Sequence, residues 1–203
     1  MKLTILGGNG ECTGYRMRGR MLTFLYKLFL KLQNVKYGKR LILKGLPVIF
    51  NKKGATLSIG EGCIIKSSFL SNLVGLYSKT IILTRTPEAC VEIGNHVGIS
   101  GATIYARSRI EIGDYTNIGG NVKILDNDFH PVEPEARLLD DKNQIGTAPI
   151  HIGRNCFIGC NVIILKGSNL GDNCVVGAGA VVSGTFESGC VIAGNPARTI
   201  KRV

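Results

Sequence analysis

A period of six residues runs through the C-terminal part of the chain and restricts its fold more than any other feature. An aliphatic residue recurs at every sixth position, without slippage, at Ile152, Ile158, Ile164, Leu170, Val176 and Val182. This period is neither the 3.6 of a helix nor the alternation of a single strand. It predicts short strands joined by tight turns, three to a coil of about eighteen residues, wound into a triangular prism with the aliphatics inside.

The same period appears upstream and sets the expected extent of the prism. It returns in two further sets of three and a weaker pair, at Ile112, Ile118, Ile124, at Ile93, Ile99, Tyr105, and at Ile59, Ile65. We therefore expect an all-β domain over residues 56–203. Stacked coils predict interior columns, with Ile152 under Leu170, Ile158 under Val176 and Ile164 under Val182.

Residues 1–55 form a basic N-terminal segment with a different composition. They hold one acid, Glu11, against twelve Lys and Arg residues, so most of the net charge of +11 belongs to them. Residues 15–33 predict an amphipathic helix that is too short and too charged to span a bilayer. Packing against the prism or a neighbouring subunit is favoured, and peripheral contact with an anionic membrane is the alternative.

The cysteines indicate a reducing compartment. The chain has seven, with no C-x-x-C pair and no secretory signal, which favours a cytoplasmic protein with reduced thiols. Cys156 and Cys174 fall in one predicted column at a separation that would permit a disulfide. Two thiols packed as small apolar groups are the favoured state.

The repeat breaks between residues 126 and 149, and the break holds the strongest candidate for chemistry. It contains His130, followed by Pro131, which restricts the histidine to extended backbone conformations. A loop that leaves a repeat lattice is a common place for function. A carboxylate or carbonyl beside one ring nitrogen would fix the tautomer and leave the other as a base. Asp126, Asp128 and a backbone carbonyl remain open as that partner.

Three stretches carry a resemblance to a known family: the uninterrupted hexads, DNDFHPVEPEAR followed by APIHIGRNCFIG, and AGNPA followed by basic residues. They resemble the hexapeptide-repeat acyltransferases, whose fold is the left-handed parallel β-helix. The second of these stretches closely resembles sugar O-acetyltransferases of the maltose and galactoside type. The stretch ISGATIYARSRIEIGD looks most like their polysaccharide-biosynthesis relatives. The resemblance implies transfer of acetyl from acetyl-CoA to a saccharide hydroxyl, with His130 as general base, in a homotrimer whose active sites lie between prisms.

The resemblance also implies binding residues. Cys160, Ala178 and Ser183 would line the pantetheine arm of acetyl-CoA, and Arg198 and Lys201, in the C-terminal cap of residues 193–203, would face its phosphates. The positions implied for acceptor binding are Asn121, Glu133, Arg137 and Phe157.

The chain departs from the family pattern in three places. Phe157 stands where a Trp is common, and Lys166-Gly167 replaces the usual Pro-Gly. The neighbourhood of Arg107 is basic where galactoside acetyltransferases carry an acid. Their sugar preference is therefore not carried over to this chain, and a basic pocket would suit a phosphorylated, nucleotide-linked or acidic saccharide.

Other functions are weighed on the same residues. N-acyl transfer to an amino-sugar nucleotide would need the same base and cofactor groove, and a non-catalytic β-helix would not need the His-Pro loop. A zinc site like that of the γ-type carbonic anhydrases is not expected, since the three histidines, His96, His130 and His151, lack its spacing. No metal is therefore expected. Nucleic-acid binding is not expected either, because the basic segment lacks a known nucleic-acid-binding module.

Overall fold

The computed structural model describes residues 23–203, and these form a triangular prism of three sheets. Sheet A contains β1 (Lys36–Tyr37), β4 (Thr56–Ile59), β7 (Cys90–Ile93), β10 (Arg109–Ile112), β13 (Ile150–Ile152), β16 (Asn169–Leu170) and β19 (Thr185–Phe186). Sheet B contains β2 (Ile42–Lys44), β5 (Ile64–Lys66), β8 (Gly98–Ser100), β11 (Asn117–Gly120), β14 (Phe157–Ile158), β17 (Val175–Val176), β20 (Cys190–Gly194) and β21 (Ala197–Arg202). Sheet C contains β3 (Val48–Phe50), β6 (Ile81–Thr84), β9 (Thr103–Ala106), β12 (Lys123–Leu125), β15 (Ile163–Leu165) and β18 (Val181–Val182).

The chain visits the sheets in the order A, B, C, and each such round is one coil. Strands of successive coils pair in parallel, which buries the inward side chains in one continuous core. The prism has three edges, named here A–B, B–C and C–A after the sheets that meet there. Every side chain at a corner can therefore be assigned to an edge, and this assignment positions the candidate site.

The interior columns confirm the register predicted from the repeat. The pairs Ile152–Leu170, Ile158–Val176 and Ile164–Val182 are aligned partners in adjacent strands. Their side chains are almost completely buried. The tight corners use asparagine where positive φ is needed, for example Asn155 at 51° and Asn173 at 59°. The six-residue period thus encodes both the columns and the turns between them.

The prism begins at Lys36, about 20 residues ahead of the start expected at residue 56. β1, β2 and β3 pair in parallel with β4, β5 and β6 and form a complete first coil. The inward residues Tyr37, Leu43 and Ile49 keep the spacing of six. The pattern was hard to recognise because a tyrosine replaces an aliphatic residue and a long corner, residues 51–55, interrupts the phase.

Residues 23–32 form a helix, α1, that packs on this first coil. Leu30 is completely buried, and Tyr26 donates a 2.6 Å hydrogen bond from its hydroxyl to the Pro47 carbonyl. Lys27 Nζ donates to the Leu41 carbonyl at 2.7 Å. The part of the predicted helix before residue 23 lies outside the described residues. Within residues 23–203, no helix is long and apolar enough to cross a membrane.

Two long segments leave the prism at different edges. Residues 67–80, which include a 3₁₀ turn at Phe69–Ser71, leave the B–C edge between β5 and β6. The segment 126–149 leaves the C–A edge between β12 and β13, the interval where the repeat breaks. It contains a short helix, α2 (Pro134–Leu138), and a 3₁₀ turn at Lys142–Gln144.

The C-terminal residues close the last coil as a hairpin rather than as a further hexad. β21 pairs antiparallel with β20 from Ala197 to Arg202. Pro196 lies in the turn between them and has no N–H to donate to a parallel ladder. This hairpin corresponds to the cap expected at residues 193–203.

The interior cysteines are free thiols. Cys156 and Cys174 are both completely buried, and Cys156 lies close enough to the Gly171 carbonyl for an S–H contact at 3.2 Å. Burial raises the pKa of Cys156 to about 11, which keeps the thiol protonated at neutral pH. The two side chains therefore act as small core residues, as the sequence favoured.

Candidate active site

His130 lies on the C–A edge, just after the fourth coil ends, and its side chain is exposed to solvent. The last strand of the fourth coil ends at Leu125, and the chain leaves the prism before it reaches His130. A histidine at this point cannot be a core residue. It is therefore available to a ligand lying along the edge.

The backbone around His130 is held in an uncommon conformation. Phe129 has φ of 64°, and His130 N donates to the Asp128 carbonyl at 2.7 Å, which closes a three-residue turn. Asn127 Oδ1 accepts from Phe129 N at 2.9 Å, and the Phe129 ring packs on Tyr105 with ring centres 4.8 Å apart. A bulky residue at positive φ is strained, and such strain is concentrated at functional sites.

The residues after His130 hold the turn from the other side. Pro131 is buried, although its neighbours are exposed. Arg137, on α2, donates from Nη1 to the Pro131 carbonyl at 3.1 Å and to the Val132 carbonyl at 2.6 Å. The guanidinium of Arg137, expected to bind an acceptor, thus braces the backbone of the histidine turn in this structure.

Asp126 supports the adjacent corner and does not contact the His130 ring. Its side chain is completely buried, and its two carboxylate oxygens accept from Arg107 N at 2.8 Å and Ser108 N at 2.6 Å. Asn127 Nδ2 adds a third hydrogen bond. Burial raises the pKa of Asp126, and the hydrogen bonds oppose that rise. Asp126, one of the partners left open for the histidine, instead accepts hydrogen bonds from the adjacent corner.

Asp128 is also committed to a different partner. Its Oδ2 lies 2.5 Å from Lys166 Nζ, and both side chains are partly buried. The backbone N–H of Asp128 donates to the Gly146 carbonyl at 3.0 Å. Lys166 thus ties the start of the 126–149 segment to the next coil. Lys166 stands where the family pattern has proline. This departure is the sequence signal that distinguishes the position.

Replacing Lys166 with Met is expected to lower kcat for acetyl transfer by about ten- to a hundredfold, because a loosened Asp128 turn misplaces His130. KM for acetyl-CoA should change little, since Lys166 lies beside the histidine turn and not among the residues expected to bind the cofactor. Initial rates over a range of acetyl-CoA concentrations separate the two constants.

Lys166→Arg keeps the ion pair and should recover most of the lost rate. Lys123→Met is the matched control, because Lys123 lies on the outer face of sheet C and binds Thr103 Oγ1 at 2.9 Å. Equal losses in Lys166→Met and Lys123→Met would show that Lys166 does not position the histidine.

Asp140, a carboxylate that the sequence did not single out, is exposed and pairs with Lys142 Nζ at 2.5 Å. A hydrogen bond from Lys142 lowers the pKa of Asp140 most strongly, and the charge of His130 adds to that effect. Among residues 23–203, no side chain or carbonyl makes a hydrogen bond to the His130 ring. The His130 ring therefore has no hydrogen-bond partner among these residues, and its exposed side chain is accessible to a ligand.

The residues expected to bind the cofactor divide between two edges of the prism. Cys160 and Ala178 occupy consecutive corners of the B–C edge, whereas Ser183 lies at the C–A edge. Beside Ala178, an added Cβ on Gly179 would meet no atom within 4 Å, so this stretch of edge is open. Arg198 and Lys201 are exposed on β21. A thin ligand can approach the backbone along the B–C edge, but not within reach of His130 of the same chain.

The residues expected to bind an acceptor are equally dispersed. Phe157 is 54% exposed on the outer face of sheet B, which lies opposite the C–A edge. Asn121 is buried at the B–C edge, where its Nδ2 donates to the Gly75 carbonyl at 2.9 Å and its Oδ1 accepts from Tyr77 N. Glu133 is exposed beside α2, on the histidine side. Of these four residues, Glu133 and Arg137 lie near His130 of the same chain.

Asn121 anchors a feature that the sequence reasoning missed, the segment 67–80. Tyr77 donates from its hydroxyl to Asn161 Oδ1 at 3.2 Å, so the segment crosses from the second coil to the fifth along the B–C edge. Several of its apolar side chains are exposed, among them Phe69, Leu70, Leu73 and Val74. The signal was the loss of the hexad after Ile65, filled by a run of large apolar residues.

In residues 23–203, no three side chains of His, Cys, Asp or Glu converge as a metal site. His151 Nδ1 lies 3.1 Å from Glu111 Oε2 on the outer face of sheet A, and His96 stacks on Tyr115 with ring centres 5.0 Å apart. The three histidines are thus distributed over separate parts of the prism.

The three-sheet prism, the period of six and the histidine-bearing excursion define the class of the protein as a left-handed parallel β-helix. A solved galactoside acetyltransferase in complex with coenzyme A superposes with a TM-score of 0.53 over 98% of this chain and 85% of that chain, at 21% sequence identity. This likeness supports the fold, which confirms the fold predicted from the repeat.

The family follows from the sequence comparisons. The model described as the hexapeptide repeat of succinyl-transferase matches residues 149–183. A putative acetyltransferase of Saccharomyces cerevisiae, YJL218W, is 32% identical over 149 residues, which are 68% of this chain and 71% of that protein. The chain belongs to the hexapeptide-repeat acetyltransferase family.

Two further relatives have names that state an acceptor class. The galactoside O-acetyltransferase of Escherichia coli is 36% identical over 58% of this chain. The putative lipopolysaccharide biosynthesis O-acetyl transferase WbbJ of the same species is 31% identical over 55% of this chain. The matches span 59% and 57% of the lengths of those two proteins.

Proposed function

We propose that the protein is an acetyl-CoA-dependent O-acetyltransferase that acts on a saccharide hydroxyl, with His130 as general base. The observation that carries this proposal is the placement of His130, exposed on a braced turn with no hydrogen-bond partner for its ring among residues 23–203. The names of the relatives, galactoside and lipopolysaccharide O-acetyltransferases, support a saccharide as acceptor. We propose that this reaction takes place in the cytoplasm, as a step in the biosynthesis of a surface polysaccharide.

The reaction needs one base and no covalent enzyme intermediate. A ring nitrogen of His130 takes the proton of the acceptor hydroxyl while the oxygen attacks the thioester carbonyl. The resulting tetrahedral oxyanion needs a hydrogen-bond donor, and a backbone N–H of the prism edge is the candidate. The intermediate then collapses, an O-acetyl ester forms, and coenzyme A leaves as a thiolate that takes up the proton from His130. Cys160, Ala178 and Ser183, with Arg198 and Lys201, would hold acetyl-CoA.

The division of the site between two edges supports an active site shared by two copies. His130 lies on the C–A edge, and the open stretch at Ala178 and Gly179 lies on the B–C edge. Parallel packing of prisms brings one edge of each copy against another edge of its neighbour. A closed ring of three copies then makes three equivalent sites, so we propose a homotrimer.

Mixed oligomers test this shared site. His130→Ala and Ala178→Trp are each expected to be inactive, because one lacks the base and the other blocks the cofactor edge. Refolded together, they should regain a measurable fraction of wild-type activity, since some sites combine an intact edge from each copy. No regain in mixed oligomers, or a monomer in light scattering, would contradict the shared site.

The proposed reaction itself is tested by a product screen. Acetyl-CoA consumption is measured over free, nucleotide-linked and lipid-linked saccharides, and products are identified by mass spectrometry. Mild base removes an O-acetyl ester but leaves an N-acetyl amide intact, so it separates the proposal from N-acyl transfer. Base-stable products only, or no turnover with any saccharide, would overturn O-acetylation.

A further inference from the structure

A column of cations runs along the C–A edge from His130 towards the N-terminal end of the prism. The corners of the first three coils contribute Lys52 and Lys53, then Arg85, then Arg107. Lys53 and Arg85 are exposed, and among residues 23–203 none of the four forms a salt bridge with a carboxylate. Arg107 donates from Nη2 to the Lys142 carbonyl at 3.2 Å, so Lys52, Lys53 and Arg85 are the cations of this column available to bind an anion.

The acids near this column are concentrated at its His130 end. Glu88 is the single carboxylate within the three corners, residues 51–55, 85–89 and 107–108. In the segment 126–149, Asp140 is already paired with Lys142, and Asp128 with Lys166. Asp126 lies buried at the third corner, where its carboxylate accepts from Arg107 N and Ser108 N. The charge along the edge therefore changes from mixed near His130 to positive at the first coil.

The column ends at an apolar cavity of about 870 Å³ between α1 and β3. Lys52 and Lys53 line it together with apolar side chains. Of these, Phe29 is 47% exposed, Leu32 79%, Val48 48% and Phe50 48%. An exposed apolar hollow with two cations at its rim is complementary to an amphiphile with an anionic group.

The spacing along the edge relates this cavity to the histidine. Three coil steps of about 4.8 Å separate the Lys52–Lys53 corner from the end of the fourth coil, or about 14 Å in all. That is the length of a short oligosaccharide. A ligand with an apolar chain in the cavity and a phosphate at Lys52 and Lys53 would therefore present its first sugars along the edge towards His130.

We propose that the acceptor is a saccharide joined through a diphosphate to an apolar chain, with the diphosphate at the Lys52–Lys53 corner and the chain in the cavity between α1 and β3. This proposal rests on the O-acetyltransferase function and specifies its acceptor class. A free saccharide would use neither the cations nor the cavity, and a nucleotide-linked saccharide would use the cations alone.

The proposal is tested by binding of farnesyl diphosphate, below its micelle concentration, to the full-length protein without acetyl-CoA. Uridine diphosphate and inorganic diphosphate provide the same anion without the apolar chain. We expect farnesyl diphosphate to bind at least about tenfold more tightly than either. Equal affinities for the three would show that the cavity contributes nothing, and they would overturn the lipid-linked acceptor in favour of a nucleotide-linked one.

Matched variants assign the binding to this edge. Phe50→Ser and the double variant Lys52→Glu, Lys53→Glu should each weaken farnesyl diphosphate binding by about tenfold or more. Ile42→Ser is the apolar control, because Ile42 is 47% exposed in the same coil but on sheet B. Lys39→Glu is the charge control, at the A–B corner of that coil. Equal effects at control and test positions would contradict the proposal, and thermal unfolding confirms that each variant is folded.

Two outcomes keep this proposal separate from the catalytic one. Pull-down on phosphatidylglycerol vesicles without any farnesyl diphosphate binding would indicate a general membrane-binding surface and overturn the proposed acceptor site. Because the binding measurement uses no acetyl-CoA, its failure leaves acetyl transfer to soluble saccharides unaffected. Conversely, tight farnesyl diphosphate binding with no acetyl transfer to any saccharide would contradict the catalytic function alone.

Discussion

Replacing His130 with Ala is expected to lower kcat for acetyl transfer by about 10²–10⁴-fold, the usual contribution of a positioned general base. The side chain is exposed and its ring makes no hydrogen bond to residues 23–203, so the free energy of unfolding should stay within about 0.5 kcal/mol of wild type. Product formation is followed by chromatography of the acetylated saccharide. Urea unfolding of the same samples measures stability.

His151→Ala is the matched control for this variant. His151 is also exposed, but it binds Glu111 on the outer face of sheet A, away from the C–A edge. It should retain wild-type kcat. If His130→Ala kept activity within tenfold of wild type, or if both variants lost the same amount, His130 would not be the base.

Replacing Asp126 with Ala should have the opposite signature, a large loss of stability with a small effect on chemistry. The change leaves two partly buried donors, Arg107 N and Ser108 N, without the carboxylate that accepts from them. Each unsatisfied group costs about 1–3 kcal/mol, so the free energy of unfolding should fall by about 2–5 kcal/mol. Asp126→Asn keeps one acceptor oxygen and should lie between Ala and wild type. Urea unfolding monitored by circular dichroism gives the three values.

The control for Asp126 is another aspartate of the same segment. Asp140 is exposed and paired only with Lys142, so Asp140→Ala should cost less than about 1 kcal/mol. The folded fraction of Asp126→Ala should retain kcat within about tenfold of wild type, because Asp126 does not touch the His130 ring. A stable Asp126→Ala variant that had lost activity a thousandfold would instead make Asp126 part of the catalytic machinery.

The two replacements together separate residues that sequence reasoning had grouped. Asp126, Asp128 and His130 lie within five positions, and either aspartate, or a backbone carbonyl, was left open as the partner of the histidine. The structure divides them, since Asp126 caps a buried corner and Asp128 pairs with Lys166. The chain then turns at Phe129, which has positive φ and separates His130 from the two aspartates before it.

The prediction of the prism succeeded where the period was local and failed where it was interrupted. Each interior position is occupied by a side chain whose neighbours above and below are about eighteen residues away, so the pattern predicts its own register. The first coil was missed because Tyr37 and the corner 51–55 blur the period. The segment 67–80 was missed because its function as a cover for the B–C edge depends on contacts with Asn121 and Asn161.

The sequence by itself determined the triangular prism, its interior columns and the break at residues 126–149. It also singled out His130 as the candidate general base. These features depend on the spacing of apolar side chains and on the local chemistry of the backbone, and both can be recognised from the sequence. Only the tertiary structure decided which edge each residue occupies. That assignment separates His130 from Ala178, pairs Lys166 with Asp128, and aligns Lys52, Lys53, Arg85 and Arg107 on one side. The physical reason is the winding of the coils. Residues on one edge are neighbours in space, although a full coil, with one strand of each sheet, separates them in sequence.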